Sequence, residues 1–131
     1  KNDKIVYHWV NYGICFLVSA EKKLHITWWR HESGAVNVTC VAQGVYPEPK
    51  MALYIESKSM SILKDVMVQV KKAHKCYDIS ATKILEDREI QTTTIFDCEL
   101  RIPEANYAVR KSIIYYPGKS SSFIIQNLIN F

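Results

Sequence analysis

The sequence predicts an all-β protein, folded as an antiparallel β-sandwich of about seven strands. Apolar and polar residues alternate over several short segments, while the spacing typical of an amphipathic helix is scarce. Turn-forming residues separate these segments. Two of the segments also carry a cysteine on the apolar side of the alternation, which is where a bridge between two packed sheets needs it.

The predicted strands follow one another along the chain. The first is the segment 24–29, LHITWW, and the last is the segment 108–116, AVRKSIIYY. The inward positions of the strands between them are, in chain order, Val36, Val38 and Cys40; Met51, Leu53 and Ile55; Val66, Val68 and Val70; Tyr77, Ile79 and Ala81; and Phe96, Cys98, Leu100 and Ile102. The run 66–70 has the most regular alternation of all, so we expect it to pack on the core.

Turn chemistry marks the connections between the predicted strands. These connections are Gly44 with Pro47 and Pro49, and the segments 57–61, 86–88 and 103–106. The segment 83–91, KILEDREIQ, predicts a short helical turn between two strands.

Composition places the chain among ordinary globular domains. It has 131 residues, of which 48% are hydrophobic and 23% charged, so it can bury a sizeable core. Its net charge of +4 is too small to indicate nucleic-acid binding, and no nucleic-acid-binding motif accompanies it, so we expect no nucleic-acid partner. No segment reaches the roughly 18 consecutive apolar residues of a membrane-spanning helix, so no membrane span is expected in this chain.

The N-terminal segment allows two interpretations. Residues 5–20, IVYHWVNYGICFLVSA, follow two lysines and end in small residues, as the end of a secretory signal does. The polar residues His8, Asn11 and Tyr12 fit that pattern poorly, so a strand or an N-terminal extension is the alternative. The short apolar C-terminus does not make a convincing lipid-anchor signal.

Cys40 and Cys98 are predicted to form a structural disulfide. Both occupy inward positions of alternating strands, and two such cysteines can bridge sheets that pack about 10 Å apart. The bridge would close a long loop and stabilise the fold by about 4 kcal/mol in the chain-entropy model. The alternative for each cysteine is a reduced, buried side chain. No cysteine pair has the spacing of a zinc site.

Cys15 and Cys76 remain open. If the first twenty residues are a cleaved signal, Cys76 is an odd cysteine and is expected to bond outside this segment. If they are retained, Cys15 and Cys76 are expected to pair and to attach the extension to the turn before the strand at Tyr77.

Several motifs together resemble an immunoglobulin-superfamily domain over residues 24–117. They are VTCVA at 38–42, GVYPEP at 44–49, Met51 and Leu53, YDIS at 77–80 and FDC at 96–98. The C-x-A-x-G-x-Y-P-x-P passage resembles the second-to-third strand region of constant-type domains in adhesion and costimulatory receptors. The resemblance implies an extracellular immunoglobulin-like β-sandwich with an N-terminal extension or signal-like segment at 1–23 and a C-terminal tail at 118–131.

Two positions depart from the immunoglobulin pattern. Leu53 stands where a tryptophan usually packs on the disulfide, and Phe96 stands where a tyrosine usually ties a corner to the backbone. The combination of YPEPK with CELRIPEANYAVRK also resembles, loosely, arthropod surface proteins of the beaten-path family.

Asn37 is the predicted glycosylation site, because Asn37-Val38-Thr39 is an acceptor triplet. If Cys40 points inward, alternation points Asn37 outward, as a glycan requires. Chance occurrence of the triplet is the alternative explanation.

Catalysis is not expected. His74 and the lysines around Cys76 could activate its thiol, but neither an orienting group nor an oxyanion donor accompanies them. His8, His25 and His31 do not form a metal-binding set. We therefore expect neither an enzyme nor a cofactor.

Two surface features are candidate binding sites. Tyrosine and arginine are favoured interface anchors, and the last strand region holds Tyr107, Arg110, Lys111, Tyr115 and Tyr116. The densest basic run contains Lys71, Lys72 and Lys75, which are either a solvated turn or a contact for anions such as sulfated glycans.

The sequence thus gives one leading hypothesis for function and one alternative. The leading hypothesis is an extracellular recognition module, secreted or on the cell surface, that acts in cell adhesion or receptor–ligand signalling. Its partner would be another protein ectodomain, and an immunoglobulin-like ectodomain is one candidate. The alternative is a secreted glycan-binding or defence protein that uses the basic turn.

Overall fold

The computed structural model describes residues 7–10, 13–16, 23–56 and 59–118. Strands β1 (Tyr7–Val10) and β2 (Gly13–Phe16) pair as an antiparallel hairpin. The hairpin lies in the segment for which the sequence left a strand as an alternative to a signal. Of the predicted C-terminal tail, all but Gly118 lies outside the described residues.

Within the described residues, eight further strands form two antiparallel sheets of four strands each. Along the chain they are β3 (His25–Arg30), β4 (Val36–Val45), β5 (Lys50–Glu56), β6 (Met60–Ile62), β7 (Met67–Ala73), β8 (Cys76–Leu85), β9 (Thr94–Ile102) and β10 (Tyr107–Tyr115). The first sheet has the order β3-β4-β8-β7 and the second has the order β10-β9-β5-β6. Across the sandwich β3 contacts β10, β4 contacts β9, and β8 contacts β5.

This architecture confirms the predicted all-β sandwich. The strand order is that of a constant-type immunoglobulin domain with one additional edge strand in the second sheet. The additional strand is β6, which lies partly in the predicted connection 57–61 and pairs with β5 from Tyr54 to Glu56. The sequence missed it because three residues are too few to show an alternation.

The disulfide between Cys40 and Cys98 joins the two sheets at the centre of the core. Cys40 lies on β4 and Cys98 on β9, their Cα atoms are 6.4 Å apart, and both residues are fully buried. Leu53 is the partner of Cys98 on β5 and is fully buried as well. The predicted bridge is therefore confirmed, with Leu53 packed beside it.

A tryptophan does fill the core, but it comes from β3. Trp28 is buried and meets the ring of Tyr115 edge-on, with the ring centroids 4.7 Å apart. Its indole N–H donates a 3.0 Å hydrogen bond to the carbonyl oxygen of Ile114 in the opposite sheet. The large aromatic side chain that β5 lacks is thus supplied from the first strand of the sandwich.

The expected burial of the run 66–70 is wrong for Val68 and Val70, whereas Val66, just before β7, is half-buried and packs against the core. Val68 and Val70 are each 43% exposed, and every residue of β7 is exposed. The reason is position: β7 is the edge strand of the first sheet, and the strand order places it opposite β6, which has only three residues. Alternation gives the side on which a residue lies, but burial also needs an opposite sheet that covers it.

Gly44 does not lie in the predicted turn. It belongs to β4, where the pairing with β8 is irregular between Ala42 and Val45. Its φ of +67° is in the left-handed region that glycine adopts readily, and its N–H donates a 2.9 Å hydrogen bond to the carboxylate of Asp78. The glycine therefore makes a bulge near the end of β4.

The predicted helical turn within 83–91 is present, but it is shorter than that segment. β8 continues to Leu85, and a single 3-10 turn follows at Asp87–Glu89. The Glu86 N–H donates a 3.0 Å hydrogen bond to the side chain of Glu89, which stabilises the start of this turn.

Candidate functional site

The outer face of the second sheet carries a connected set of polar and aromatic side chains. Alternation on the strands directs Cys98 and Leu53 into the core, so their neighbours in sequence point outward. The outward residues that contact one another come from all four strands, namely Tyr54, Met60, Asp97, Glu99, Arg110 and Ser112. We call these six residues the Arg110 cluster.

Arg110 lies at the centre of this cluster. Its guanidinium carbon is 4.2 Å from the centroid of the Tyr54 ring, which is a cation–π contact. Its Nη1 donates to the sulfur of Met60 at 3.1 Å. One side chain from β10 therefore reaches across β9 and β5 to the edge strand β6.

Two carboxylates hold the guanidinium from the β9 side. Arg110 Nη1 lies 3.5 Å from Asp97 Oδ2, and Arg110 Nε lies 3.7 Å from Glu99 Oε2. The Tyr54 hydroxyl donates to Glu99 Oε1 at 3.2 Å, and the Ser112 hydroxyl donates to Asp97 Oδ1. Each carboxylate is thus fixed by a second neighbour.

These contacts orient the side chains more than they stabilise the fold. The Arg110 side chain is 38% exposed, whereas the Asp97 and Glu99 side chains are only 10% and 18% exposed. Ion pairs with one exposed partner at this separation contribute about 0.2–1 kcal/mol each, and a cation–π contact near the surface contributes about 0.5–1 kcal/mol. The guanidinium keeps an exposed side while its neighbours restrict its rotamers. Such a group loses little further conformational entropy when a partner covers it.

An apolar rim lies beside the cluster on β6. Met60 is 46% exposed and Ile62 is 54% exposed, and they are the outward partners of Glu56 and Tyr54 on β5. Methionine adapts its shape to different surfaces because its side chain is unbranched and polarisable. The outer face of the second sheet therefore combines an oriented cation, an aromatic ring and accessible apolar surface.

The predicted interface on β10 is wrong for Tyr115. Tyr115 is fully buried, because it lies on the inward side of β10, opposite to Arg110. Its ring packs against Trp28 and Phe96, and its hydroxyl accepts a hydrogen bond from Arg30. Burial raises the pKa of the Tyr115 phenol above its ordinary value of 10.0, and the positive charge of Arg30 opposes this rise.

The other three predicted interface residues do not join the Arg110 cluster, since Tyr107 and Lys111 share the inward parity of Tyr115 and Tyr116 follows the end of β10. The Lys111 ammonium donates a 2.9 Å hydrogen bond to the carbonyl oxygen of Leu24, the residue just before β3. Tyr107 and Tyr116 are half-buried and pack against the core. Of the five residues proposed from the sequence, Arg110 is the one that the structure places in the connected outer face.

Sequence reasoning missed Tyr54 and Met60. Tyr54 alternates with the buried Leu53, and Asp97 and Glu99 alternate with the buried Cys98. A choice limited to outward positions of the predicted strands would therefore have found Tyr54 and both carboxylates. It would not have found Met60, because the strand that carries it was itself unpredicted.

The basic run does not converge on one point. Lys71 and Lys72 are consecutive on β7, so their side chains leave opposite sides of the strand. Lys71 is opposite Asp78 on β8, while the Lys72 ammonium lies 5.7 Å from the centroid of the Tyr77 ring. Lys75 follows in the turn, with a φ of +68°. The structure thus gives these lysines separate directions.

Cys76 is disulfide-bonded, and a disulfide sulfur carries no thiolate for catalysis. The side chain of its predicted partner, Cys15, lies outside the described residues, so that pairing stays a prediction. Within the described ranges, no group of three or more His, Cys, Asp or Glu residues is arranged to hold a metal ion.

The outer face of the first sheet is different in character. Trp29, Asn37 and Ile84 are partners across β3, β4 and β8, so they form one row on this face. Trp29 is 54% exposed and Ile84 is 59% exposed. Asn37 points outward between them, as the sequence predicted.

Comparisons with known proteins show the fold. No protein-family model and no curated protein sequence matches this chain. Among solved structures it is similar to IgNAR antibody domain C1, with a TM-score of 0.56, 14% identity and coverage of 70% of this chain and 92% of that domain. It is also similar to IgNAR antibody domain C3, with a TM-score of 0.55, 16% identity and coverage of 70% and 94%.

The chain therefore has an immunoglobulin-like fold of the kind found in antibody constant domains. The loose resemblance to beaten-path proteins gains no support from these comparisons. Over the part of the chain that the structure describes, no helix is long and apolar enough to cross a membrane.

Proposed function

We propose that this protein is an extracellular recognition module that binds another protein ectodomain through the outer face of its second sheet. The observation that carries the proposal is the Arg110 cluster, in which an arginine is held over a tyrosine on an exposed face. The proposed role lies in cell adhesion or receptor–ligand signalling, and it requires neither catalysis nor a cofactor.

Residue chemistry supports a protein partner. Tyrosine and arginine dominate binding energy at protein interfaces, and methionine is enriched there relative to the rest of the surface. Tyr54, Met60 and Arg110 supply all three types within one set of contacts. The exposed Ile62 extends the apolar area next to them.

The disulfide chemistry supports an extracellular location. Cys40 and Cys98 are linked, and Cys76 is disulfide-bonded as well. Disulfides persist in oxidising compartments and are rare in the cytosol. A rigid sandwich joined at its centre suits a module that presents one face while exposed to solvent.

The mechanism that we propose is rigid docking of a preformed face. The partner would supply a carboxylate or a backbone carbonyl to the open side of the Arg110 guanidinium, and an apolar group to Met60 and Ile62. Because the arginine is already oriented, binding would cost less side-chain entropy than for a free surface arginine.

A charge-reversal pair tests the proposal. The purified chain, fused to a tetrameric scaffold, is screened against a panel of purified ectodomains, and the ectodomain that it binds is then used to titrate the monomer. We expect Arg110→Glu to abolish that binding, because it places three carboxylates together on one face. Lys71→Glu is the matched control: it makes the same charge change on the first sheet and should leave the affinity unchanged.

The same two variants test the alternative function. Immobilised heparin serves as the sulfated-glycan probe, with retention measured at increasing salt. Salt-sensitive retention that Lys71→Glu removes and Arg110→Glu leaves intact would contradict our proposal in favour of glycan binding. Ectodomain binding that survives Arg110→Glu would contradict the assignment of the face.

A further inference from the structure

An exposed apolar pair flanks a potential glycan attachment point on the outer face of the first sheet. Trp29 and Ile84 are the two cross-strand partners of Asn37, and neighbouring strands lie about 4.8 Å apart. Trp29 and Ile84 therefore lie about 10 Å apart on either side of Asn37, and together they expose apolar surface that water solvates poorly. Such an area on a soluble domain commonly marks something that covers it.

The side chain of Asn37 is already oriented for attachment. His31 Nε2 donates to Asn37 Oδ1 at 2.9 Å, and the His31 ring lies beside Trp29 with the ring centroids 5.0 Å apart. This hydrogen bond uses Oδ1 and not Nδ2, which is the atom that carries the sugar in an N-linked glycan. Trp29 is also the strand partner of Asn37 on β3.

We propose that Asn37 carries an N-linked glycan whose first sugars lie on Trp29 and Ile84. The C–H faces of pyranose rings are apolar, so they can pack on an indole ring and on an aliphatic side chain by dispersion and loss of hydration. Their hydroxyl groups would face solvent on the other side. The patch is thus covered by the chain's own glycan and not by a second protein.

The attachment is a simple substitution. Asn37 Nδ2 bonds to the anomeric carbon of the first N-acetylglucosamine of a lipid-linked pyrophosphate donor in the secretory pathway. The bond between that carbon and the pyrophosphate oxygen breaks, the pyrophosphate leaves with the electron pair, and Nδ2 loses one proton. The acceptor triplet Asn37-Val38-Thr39 provides the hydroxyl residue that the transferase requires.

The next row of residues on the same face is polar, as expected for a hydrated surface beside a glycan. Thr27, Thr39 and Thr82 are partners in that row, and their hydroxyl groups can bond to water or to sugar hydroxyls. A glycan in this place would shield the first sheet and leave the outer face of the second sheet open. The inference rests on the proposed extracellular location, because the donor is found only in the secretory pathway.

The test uses two variants of the acceptor triplet. The full chain is expressed with a secretory leader in a eukaryotic cell, and intact masses are measured before and after treatment with an N-glycan amidase. We expect one N-glycan mass at Asn37 in the natural sequence and in Thr39→Ser, which keeps the acceptor. We expect its loss in Thr39→Ala, which keeps Asn37 and its bond to His31.

Tryptophan accessibility tests the contact itself. Acrylamide quenching of tryptophan fluorescence should be weaker in the glycosylated Thr39→Ser protein than in Thr39→Ala, because sugars cover Trp29. The difference should disappear when both proteins also carry Trp29→Phe. The Thr39→Ala protein should also bind more of an apolar dye, and Trp29→Ser should reverse that gain.

Three results would overturn the inference. A secreted chain without glycan at Asn37 would remove the modification. Equal quenching of Trp29 in the glycosylated Thr39→Ser protein and in Thr39→Ala would contradict the contact between glycan and Trp29. A glycosylated chain that dimerises through Trp29 would show that a second copy covers the patch. None of these readouts involves Arg110, so they are independent of the ectodomain test.

Discussion

The two outer faces of the sandwich are built on one core, but they use their outward positions differently. On the second sheet the outward side chains contact one another, and Arg110 joins four strands through Tyr54, Met60 and two carboxylates. On the first sheet Trp29 and Ile84 extend into solvent on either side of Asn37. One face is a network and the other is an apolar pair around a polar acceptor.

The core restricts the inward positions of both sheets equally, and it does not determine which side chains occupy either outer face. Both sheets alternate around the same disulfide, so inward positions are fixed by packing. The outward positions are free of that constraint, and they hold the chemistry that separates the faces. A substitution in the core should therefore affect both faces, and an outward one should affect a single face.

The largest expected effect is common to both faces. Replacing Cys40 and Cys98 together with alanine should lower the free energy of unfolding by about 4 kcal/mol, because it opens a link across 58 residues. Urea denaturation measures the loss. Val38→Ala is the control: it shortens a buried side chain on the same strand, leaves the link closed, and should cost about 2 kcal/mol. Equal losses in the double cysteine variant and in Val38→Ala would contradict a stabilising role for the disulfide.

Adjacent tryptophans give the next effect. Trp28→Phe removes a buried indole and its hydrogen bond to Ile114, so unfolding should become easier by about 2 kcal/mol. Trp29→Phe changes an exposed ring on the outer face and should cost less than about 0.5 kcal/mol. Thermal unfolding of the two variants side by side measures the contrast, and similar losses would show that the two sides of β3 are misassigned.

A pH effect should follow from Tyr115, which connects the sheets through Arg30. Because burial raises the pKa of this phenol in the folded state, the folded protein holds the proton more tightly than the unfolded chain does. Its contribution to stability is therefore complete below pH 10 and is lost as the pH rises through the folded-state pKa. Denaturation midpoints across this range measure it, and Tyr115→Phe should flatten the decline.

The smallest expected effect belongs to the Arg110 cluster. Arg110→Ala should lower the free energy of unfolding by about 1 kcal/mol, since the Arg110 side chain is 38% exposed and the buried Asp97 keeps its hydrogen bond to Ser112. The next residue is the control. Lys111→Ala removes an inward ammonium that bonds to the Leu24 carbonyl oxygen, and it should cost more. A larger loss for Arg110→Ala would make the cluster a structural feature and weaken the binding proposal.

The sequence predicted the sandwich because alternation and matched cysteines report directly on packing. Cys40 and Cys98 were found at inward positions of two strands, and both are buried and linked. The core tryptophan was not foreseen, because a period of two shows that Trp28 and Trp29 face opposite ways without showing which of them meets the other sheet. The burial expected for Val68 and Val70 failed for a related reason, since an edge position is a property of strand order.

The candidate site was predicted less well. Tyr107, Arg110 and Tyr115 were grouped by nearness in sequence, although Arg110 differs from both tyrosines in parity and so faces the other way. Tyr54 was visible as an outward residue, but its meeting with Arg110 depends on the register of three strands. Alternation in a single sequence predicts well on which side of a strand a residue lies. It predicts poorly which residues of neighbouring strands are paired.

Among the described residues β7 is an edge strand of the first sheet, and this has a consequence for how the protein behaves at high concentration. Seven consecutive exposed residues, Met67–Ala73, form the end of the first sheet, and their backbone groups could template an extended segment of another molecule. Lys71 and Lys72 place like charges along that edge and oppose such stacking. We therefore expect Lys71 and Lys72, first considered as ligands for an anion, to reduce aggregation through this edge.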